Sequence, residues 1–143
     1  MKITSVGGLL LMMTGGISLV LIHALFSPSP FVIAAQVAGV GLMLWARFTF
    51  GRRSFHGSAE PTEGGLVTSG PYRFIRHPIY AAACTICLAG ILANTSILSV
   101  LAGALLVVGA LIRIQAEEKL VAARYPEYLQ YAKVTKRVIP YVF

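Results

Sequence analysis

From Ile79 to Ile112 the chain runs for 34 residues without a charged side chain. As one helix, rising about 1.5 Å per residue, the run would be roughly 51 Å long. That is well beyond the ~30 Å hydrocarbon core of a bilayer. Near its middle stands the polar triplet Asn94-Thr95-Ser96, which suits a turn. The run is expected to fold as a tight hairpin of two helices, about 79–93 and 97–112. Gly7 to Phe26 is a second charge-free run, 20 residues long. As a helix it matches one hydrocarbon thickness. It exceeds the h-region of a signal peptide, only Lys2 precedes it, and no small-x-small cleavage site follows, so a retained helix is expected. Ser27-Pro28-Ser29-Pro30 ends it in a tight turn. Phe31 to about Phe50 forms the next span, with Arg47 placed to snorkel and Trp45 and Phe48 at the level of an aromatic belt.

Charged residues make up 12% of the chain, about half the share in an ordinary soluble domain. A disordered tail, a coiled coil and a secreted disulfide scaffold are thereby excluded. The expected fold is a single all-α integral membrane domain over residues 1–143. It has four transmembrane helices, at about 7–26, 31–50, 79–93 and 97–112. A loop, 51–78, and a tail, 113–143, lie outside the membrane, and the first half of the tail prolongs the fourth helix into water.

The 12 Lys and Arg residues assign the sides. They are Lys2; Arg47, Arg52, Arg53, Arg73 and Arg76; and Arg113, Lys119, Arg124, Lys133, Lys136 and Arg137. None lies in the turns at 27–30 and 94–96. The positive-inside rule makes the loop, the tail and both termini cytoplasmic, as for a protein of a bacterial inner membrane. The net charge of +7 reads as topology and attraction to anionic lipid. No basic stripe on a soluble module points to nucleic acid.

Polar chemistry concentrates in two cytoplasmic segments. In the first, Gly64 to Tyr80, Pro78 suits the first turn of a helix and puts His77 at its N-terminus. Free N–H groups and the positive dipole end make such a position a site for a carboxylate or phosphate. Arg76 adds a forked cation, and Tyr72 and Tyr80 add flat rings with a hydrogen-bonding tip. The alternative is an interfacial belt in which Arg and Tyr anchor the helix. In the second segment, Arg113-Ile114-Gln115-Ala116-Glu117-Glu118, Arg113 and Glu117 are four apart on one helix face. They form either a simple surface pair or, directly continuing a membrane helix, part of a site. Glu117 and Glu118 point about 100° apart, so one can hold Arg113 while the other meets a ligand amine.

Cys84-x-x-Cys87 has no nearby His and reads as a pair of inert buried thiols, with no metal site. Gly39-x-Gly41 lies inside an apolar span and is not a dinucleotide loop. Gly15, Gly16, Gly39 and Gly103 are expected to allow close helix approach. His23 is expected at the outer interface, and His56 and Glu60 in a solvated loop.

Gly70-Pro71-Tyr72, Arg76-His77-Pro78-x-Tyr80, Arg113-x-x-x-Glu117-Glu118, Tyr125-Pro126 and Tyr128-x-x-Tyr131 together resemble the isoprenylcysteine carboxyl methyltransferase family. That family belongs to a wider group with the phospholipid N-methyltransferases. The likeness covers about residues 64–140; the first two spans match only as generic apolar helices. The resemblance implies a small helical membrane enzyme that uses S-adenosylmethionine without a dinucleotide-binding fold. It implies that the tail helps build a cytosolic cofactor site lined by Gly70, Tyr72, Arg76, His77, Tyr80 and Glu118. Arg113 and Glu117 would be catalytic, closer to the acceptor. That acceptor would be a lipophilic molecule methylated on a carboxyl oxygen, or a phospholipid methylated on nitrogen. The chain departs from the family at Tyr125-Pro126, where Phe-Gly is common, and at Val138, where an aromatic is common.

Two other classes compete. A sterol-type membrane reductase would share the C-terminal helices and bind a reduced nicotinamide cofactor. A proton-coupled small transporter needs an acid within a span, and none stands between Gly7 and Phe50 or between Ile79 and Ile112.

Overall fold

The computed structural model describes residues 2–51, 65–140 and 142. Arg52, Arg53, His56, Glu60 and Gly64 lie outside the described residues. Among the described residues there are five α-helices: α1 (Lys2–Leu21), α2 (Pro30–Phe50), α3 (Pro78–Ala93), α4 (Ile97–Arg124) and α5 (Tyr128–Val134). A 3-10 turn spans Gly70–Arg73. Three helices, α1, α2 and α4, are long and apolar enough to cross a membrane. α3 is apolar but has 16 residues, about 24 Å of helix. Large apolar side chains point outward along α1, α2 and α4, among them Leu10, Ile17, Phe31, Val37 and Leu101. This is the surface of a chain solvated by lipid.

The first helix starts earlier and ends earlier than expected, at Lys2–Leu21 instead of 7–26. The cause is a left-handed stop. His23 has φ 54°, its N–H donates to the Val20 carbonyl, and the Ala24 N–H reaches back to the Leu19 carbonyl at 2.9 Å. This is a Schellman ending with His in the place usually held by Gly. Its two apolar members, Leu19 and Ala24, are buried together with Ile91 and Ala102.

The other boundaries follow their local signals. Pro30 opens α2 in its first turn. Ser96 caps α4 by accepting from the Ser99 N–H at 3.1 Å, and the Ser96 N–H in turn donates to the Ser99 hydroxyl oxygen at 2.8 Å. Asn94 ties this turn to the one after α1, donating to the carbonyls of Phe26 and Gly90, each at 3.1 Å. Gln36 donates to the Leu25 carbonyl at 2.6 Å. Carbonyls that a lipid environment could not satisfy are thus met by protein.

The connection between α3 and α4 is tight, as expected, but the two helices do not chiefly pack on each other. α4 lies along α1, and α3 along α2. A Cβ built at Gly15 would stand 2.5 Å from the Ala102 carbonyl, and one at Gly109 would stand 2.6 Å from the Gly8 carbonyl. Those glycines let α1 and α4 touch backbone to backbone. Gly39 and Gly103 also sit at close approaches, against Ile86 and Ile91, whereas Gly16 faces open space. α3 and α4 meet at their ends: Ile91 against Gly103 near the turn, and a polar cluster at the opposite end.

Candidate functional site

Several elements converge at that opposite end. Gly70 adopts φ 56°, and a Cβ there would clash with the Thr49 side chain. The 3-10 turn is therefore seated on the last turn of α2, and the Tyr72 ring lies 5.5 Å from that of Phe50. Pro78 stands in the first turn of α3 with His77 as its N-cap residue. Residues 75–77 pair with the tail in a parallel bridge, Ile75 to Lys136. The Arg76 N–H donates to the Lys136 carbonyl at 2.7 Å, and the His77 N–H to the Arg137 carbonyl at 2.8 Å. α4 runs on past Ile112 and brings Arg113, Glu117 and Glu118 to the same place.

The two glutamates serve different arginines, as their spacing allows. Glu117 Oε1 accepts from the Tyr80 hydroxyl and from Arg113 Nη2, the latter at 3.1 Å. Arg113 Nε in turn donates to the Tyr80 oxygen at 2.7 Å. Arg113 is 5% exposed. Glu118 accepts from Arg76 Nε at 3.0 Å and from Arg137 Nε at 3.0 Å. His77 lies between the two carboxylates, with Nε2 at 3.3 Å from Glu118 Oε1 and Nδ1 at 3.7 Å from Glu117 Oε2. Arg76 is fixed further by the carbonyls of Ala132, at 3.1 Å, and Thr135.

Burial by itself would raise the Glu118 carboxyl. Hydrogen bonds from His77, Arg137 and Arg76 outweigh it and hold the group far below the usual carboxylate range. The Tyr128 phenol is pushed up by burial and by the Glu118 charge, so it stays neutral. Its hydroxyl is buried with no well-formed hydrogen bond among the described residues. Tyr131 packs edge-on against Tyr128 at 6.0 Å and donates to the Tyr72 carbonyl.

The structure thus gathers Arg76, His77, Tyr80, Arg113, Glu117 and Glu118 into one network. Gly70 and Tyr72 stand beside it, on the end of α2, and are linked to it through Tyr131. Sequence reasoning missed Arg137, Thr135 and the orphan hydroxyl of Tyr128. Arg137 was one of six basic residues in the tail, and no local pattern marks pairing of 75–77 with 136–137. Cys84 and Cys87 are free thiols. Among the described residues no three His, Cys, Asp or Glu side chains are grouped to hold a metal ion.

Chemically, the network offers two carboxylates, two buried guanidinium groups, one imidazole and several phenols beside a helix N-terminus. Such a set suits a ligand that carries both an ammonium and a carboxylate.

The family model described as phospholipid methyltransferase matches residues 31–128. A curated relative, the cobalt-zinc-cadmium resistance protein CzcN of Cupriavidus metallidurans, is 32% identical over 112 residues. That alignment takes in 76% of this chain and 47% of CzcN, so the chain spans about half the length of that relative. No solved structure matches. The match over 31–128 takes in three of the membrane-region helices and both polar segments, and the chain belongs to the phospholipid methyltransferase family, within the group of membrane methyltransferases that its motifs resemble.

Proposed function

We propose that the protein transfers a methyl group from S-adenosylmethionine to an amphiphilic acceptor at the cytosolic face of a membrane. The observation that carries the reading is Glu118: a largely buried carboxylate, ringed by Arg76, His77 and Arg137, beside a Tyr128 hydroxyl with no well-formed hydrogen bond among the described residues. An ammonium has a carboxylate to join there, and a carboxylate has Arg76 and the N-terminus of α3. Tyr72, Tyr80 and Tyr128 supply packing for an adenine, and Gly70 keeps the wall against α2 thin. The donor set therefore fits the cofactor, and Gly70, Tyr72, Arg76, His77, Tyr80 and Glu118 are the residues assigned to hold it. When bound, S-adenosylmethionine supplies an electrophilic methyl on a sulfonium.

The chain's own task is alignment and exclusion of water. Arg113 is assigned to orient a carboxylate acceptor. Glu117 and Tyr80 fix the plane of its guanidinium, and a carboxylate needs no base before attack. The apolar faces of α3 and α4 suit the lipid chain of the acceptor. In this reading all four apolar helices cross the membrane, and both termini are cytoplasmic.

The family match favours a second reading, N-methylation of a phospholipid amine. A lipid ammonium must lose a proton before it attacks. His77, between Glu117 and Glu118, is the group positioned to take it.

The test is transfer of labelled methyl from S-adenosylmethionine to a prenylcysteine analogue and to phosphatidylethanolamine, using purified protein in lipid nanodiscs. Alkali-labile label on the prenylcysteine supports O-methylation, and alkali-stable label on the phospholipid supports the second reading. Absence of both, with no cofactor binding, refutes the proposal.

A further inference from the structure

Beside the network, but outside it, Arg73, Phe74, Val134, Lys136 and Pro140 line an open cleft of about 160 Å³. Among the described residues the lining carries two cationic side chains and no acid. Neither Arg73 nor Lys136 is paired with a carboxylate among the described residues. The Arg73 guanidinium lies over the Phe74 ring at 4.9 Å, which leaves its N–H edge free to turn toward the cleft.

The level of the cleft is set by what holds it. Its Arg73-Phe74 wall follows directly from the 3-10 turn seated on Thr49 and Phe50, at the end of α2 where Trp45 and Phe48 project outward. That is the level of an aromatic belt. Around the cleft the apolar residues Phe74, Val134 and Ile139 are exposed, Val134 at 83%. Exposed apolar side chains interleaved with exposed cations fit the boundary between headgroups and acyl chains.

We infer that this cleft binds the phosphate of an anionic glycerophospholipid, with Arg73 and Lys136 on the headgroup and Phe74 and Val134 against its acyl chain. The site is separate from the proposed methyl-transfer site. Its occupant carries a net negative charge, which a zwitterionic lipid lacks. The inference does not rest on the methyltransferase reading: failure to methylate any acceptor would leave it standing.

The experiment titrates the full chain in neutral detergent with phosphatidylglycerol, phosphatidylcholine and inorganic phosphate, following bound lipid by native mass spectrometry. Phosphatidylglycerol is expected to bind and phosphatidylcholine to bind at least tenfold more weakly. Each basic group near an anionic surface accounts for about fivefold in affinity, so Arg73→Ala with Lys136→Ala should weaken phosphatidylglycerol about thirtyfold. Both side chains are exposed, so the variant should fold, which its helical circular dichroism checks. Arg73→Lys should keep most of the affinity. As a control for general positive charge, Lys119→Ala with Arg124→Ala, also exposed and not part of the cleft lining, should change affinity by less than threefold. Equal binding of the two lipids, an unchanged double variant, or an equal loss in the control would overturn the site. Displacement of the lipid by millimolar phosphate would overturn its assignment to lipid.

Discussion

Replacing Arg113 by Lys separates a catalytic arginine from a structural one. The guanidinium donates from Nε to the Tyr80 oxygen at 2.7 Å and from Nη2 to Glu117 Oε1 at 3.1 Å. A lysine ammonium is a point charge on a flexible stem and lacks the planar fork that spans both. It keeps the attraction to Glu117 and gives up one charge-assisted hydrogen bond, about 1.5–3 kcal/mol. If that bond helps align the acceptor, turnover falls roughly 10- to 150-fold, while S-adenosylmethionine, in the proposed site on the Glu118 side, is expected to bind within about twofold of wild type. An i,i+4 pair with no other duty is worth about 0.2–0.5 kcal/mol. Lys would then pair with Glu117 nearly as well, and activity would change by less than about twofold. The assay is initial-rate methyl transfer to whichever acceptor wild type uses, with cofactor affinity measured in parallel. Unchanged turnover refutes the catalytic role. A parallel loss of cofactor affinity moves Arg113 to the cofactor side.

Further outcomes follow from the same geometry. A Cβ at Gly8 would lie 2.8 Å from the Gly109 carbonyl and 3.0 Å from Arg113 Cγ. Gly8→Leu should therefore cost about 1–3 kcal/mol in stability and lower turnover, whereas Gly16→Leu, with nothing within 4 Å, should be neutral in thermal denaturation and activity. The Glu118 carboxyl is lowered on folding, so its contribution to stability is present above the unfolded carboxylate range and is lost as pH falls through the lower folded value. The difference in melting temperature between wild type and Glu118→Gln should hold from pH 8 to 5 and shrink only below about pH 4; a difference that vanishes between pH 7 and 5 would contradict this. Reporter fusions after Phe143 and within the 27–30 turn should report cytoplasmic and external locations, and an external C-terminus would sink the four-span topology.

Much of this arrangement was legible in the sequence because its signals are local. Pro30, Pro78 and Ser96 mark helix starts by what their own side chains do to the first turn. The i,i+4 spacing of Arg113 and Glu117 suits their pairing, and the 100° offset of Glu118 lets it take other partners. What escaped depends on tertiary context. His23 ends α1 in a left-handed conformation that its residue type does not announce, and the burial of Leu19 and Ala24 stabilises it. The choice of α1 as the partner of α4 depends on Gly8, Gly15 and Gly109 meeting across the interface. In a chain apolar on every face, periodicity cannot identify which helix faces which. Arg137 joins Glu118 only because the tail folds back beside residues 75–77, a pairing between segments some 60 residues apart.

The central claim is that the Glu118 end of the bundle holds S-adenosylmethionine. Isothermal titration of the purified protein with this cofactor and with a reduced nicotinamide cofactor, repeated on Glu118→Gln and His77→Ala, tests it most directly. Each substitution removes a charge-assisted contact, about 1.5–3 kcal/mol. Saturable binding of S-adenosylmethionine alone is expected, weakened at least tenfold in each variant while both stay folded. Binding of the nicotinamide cofactor instead, or S-adenosylmethionine affinity unchanged in both variants, would contradict it.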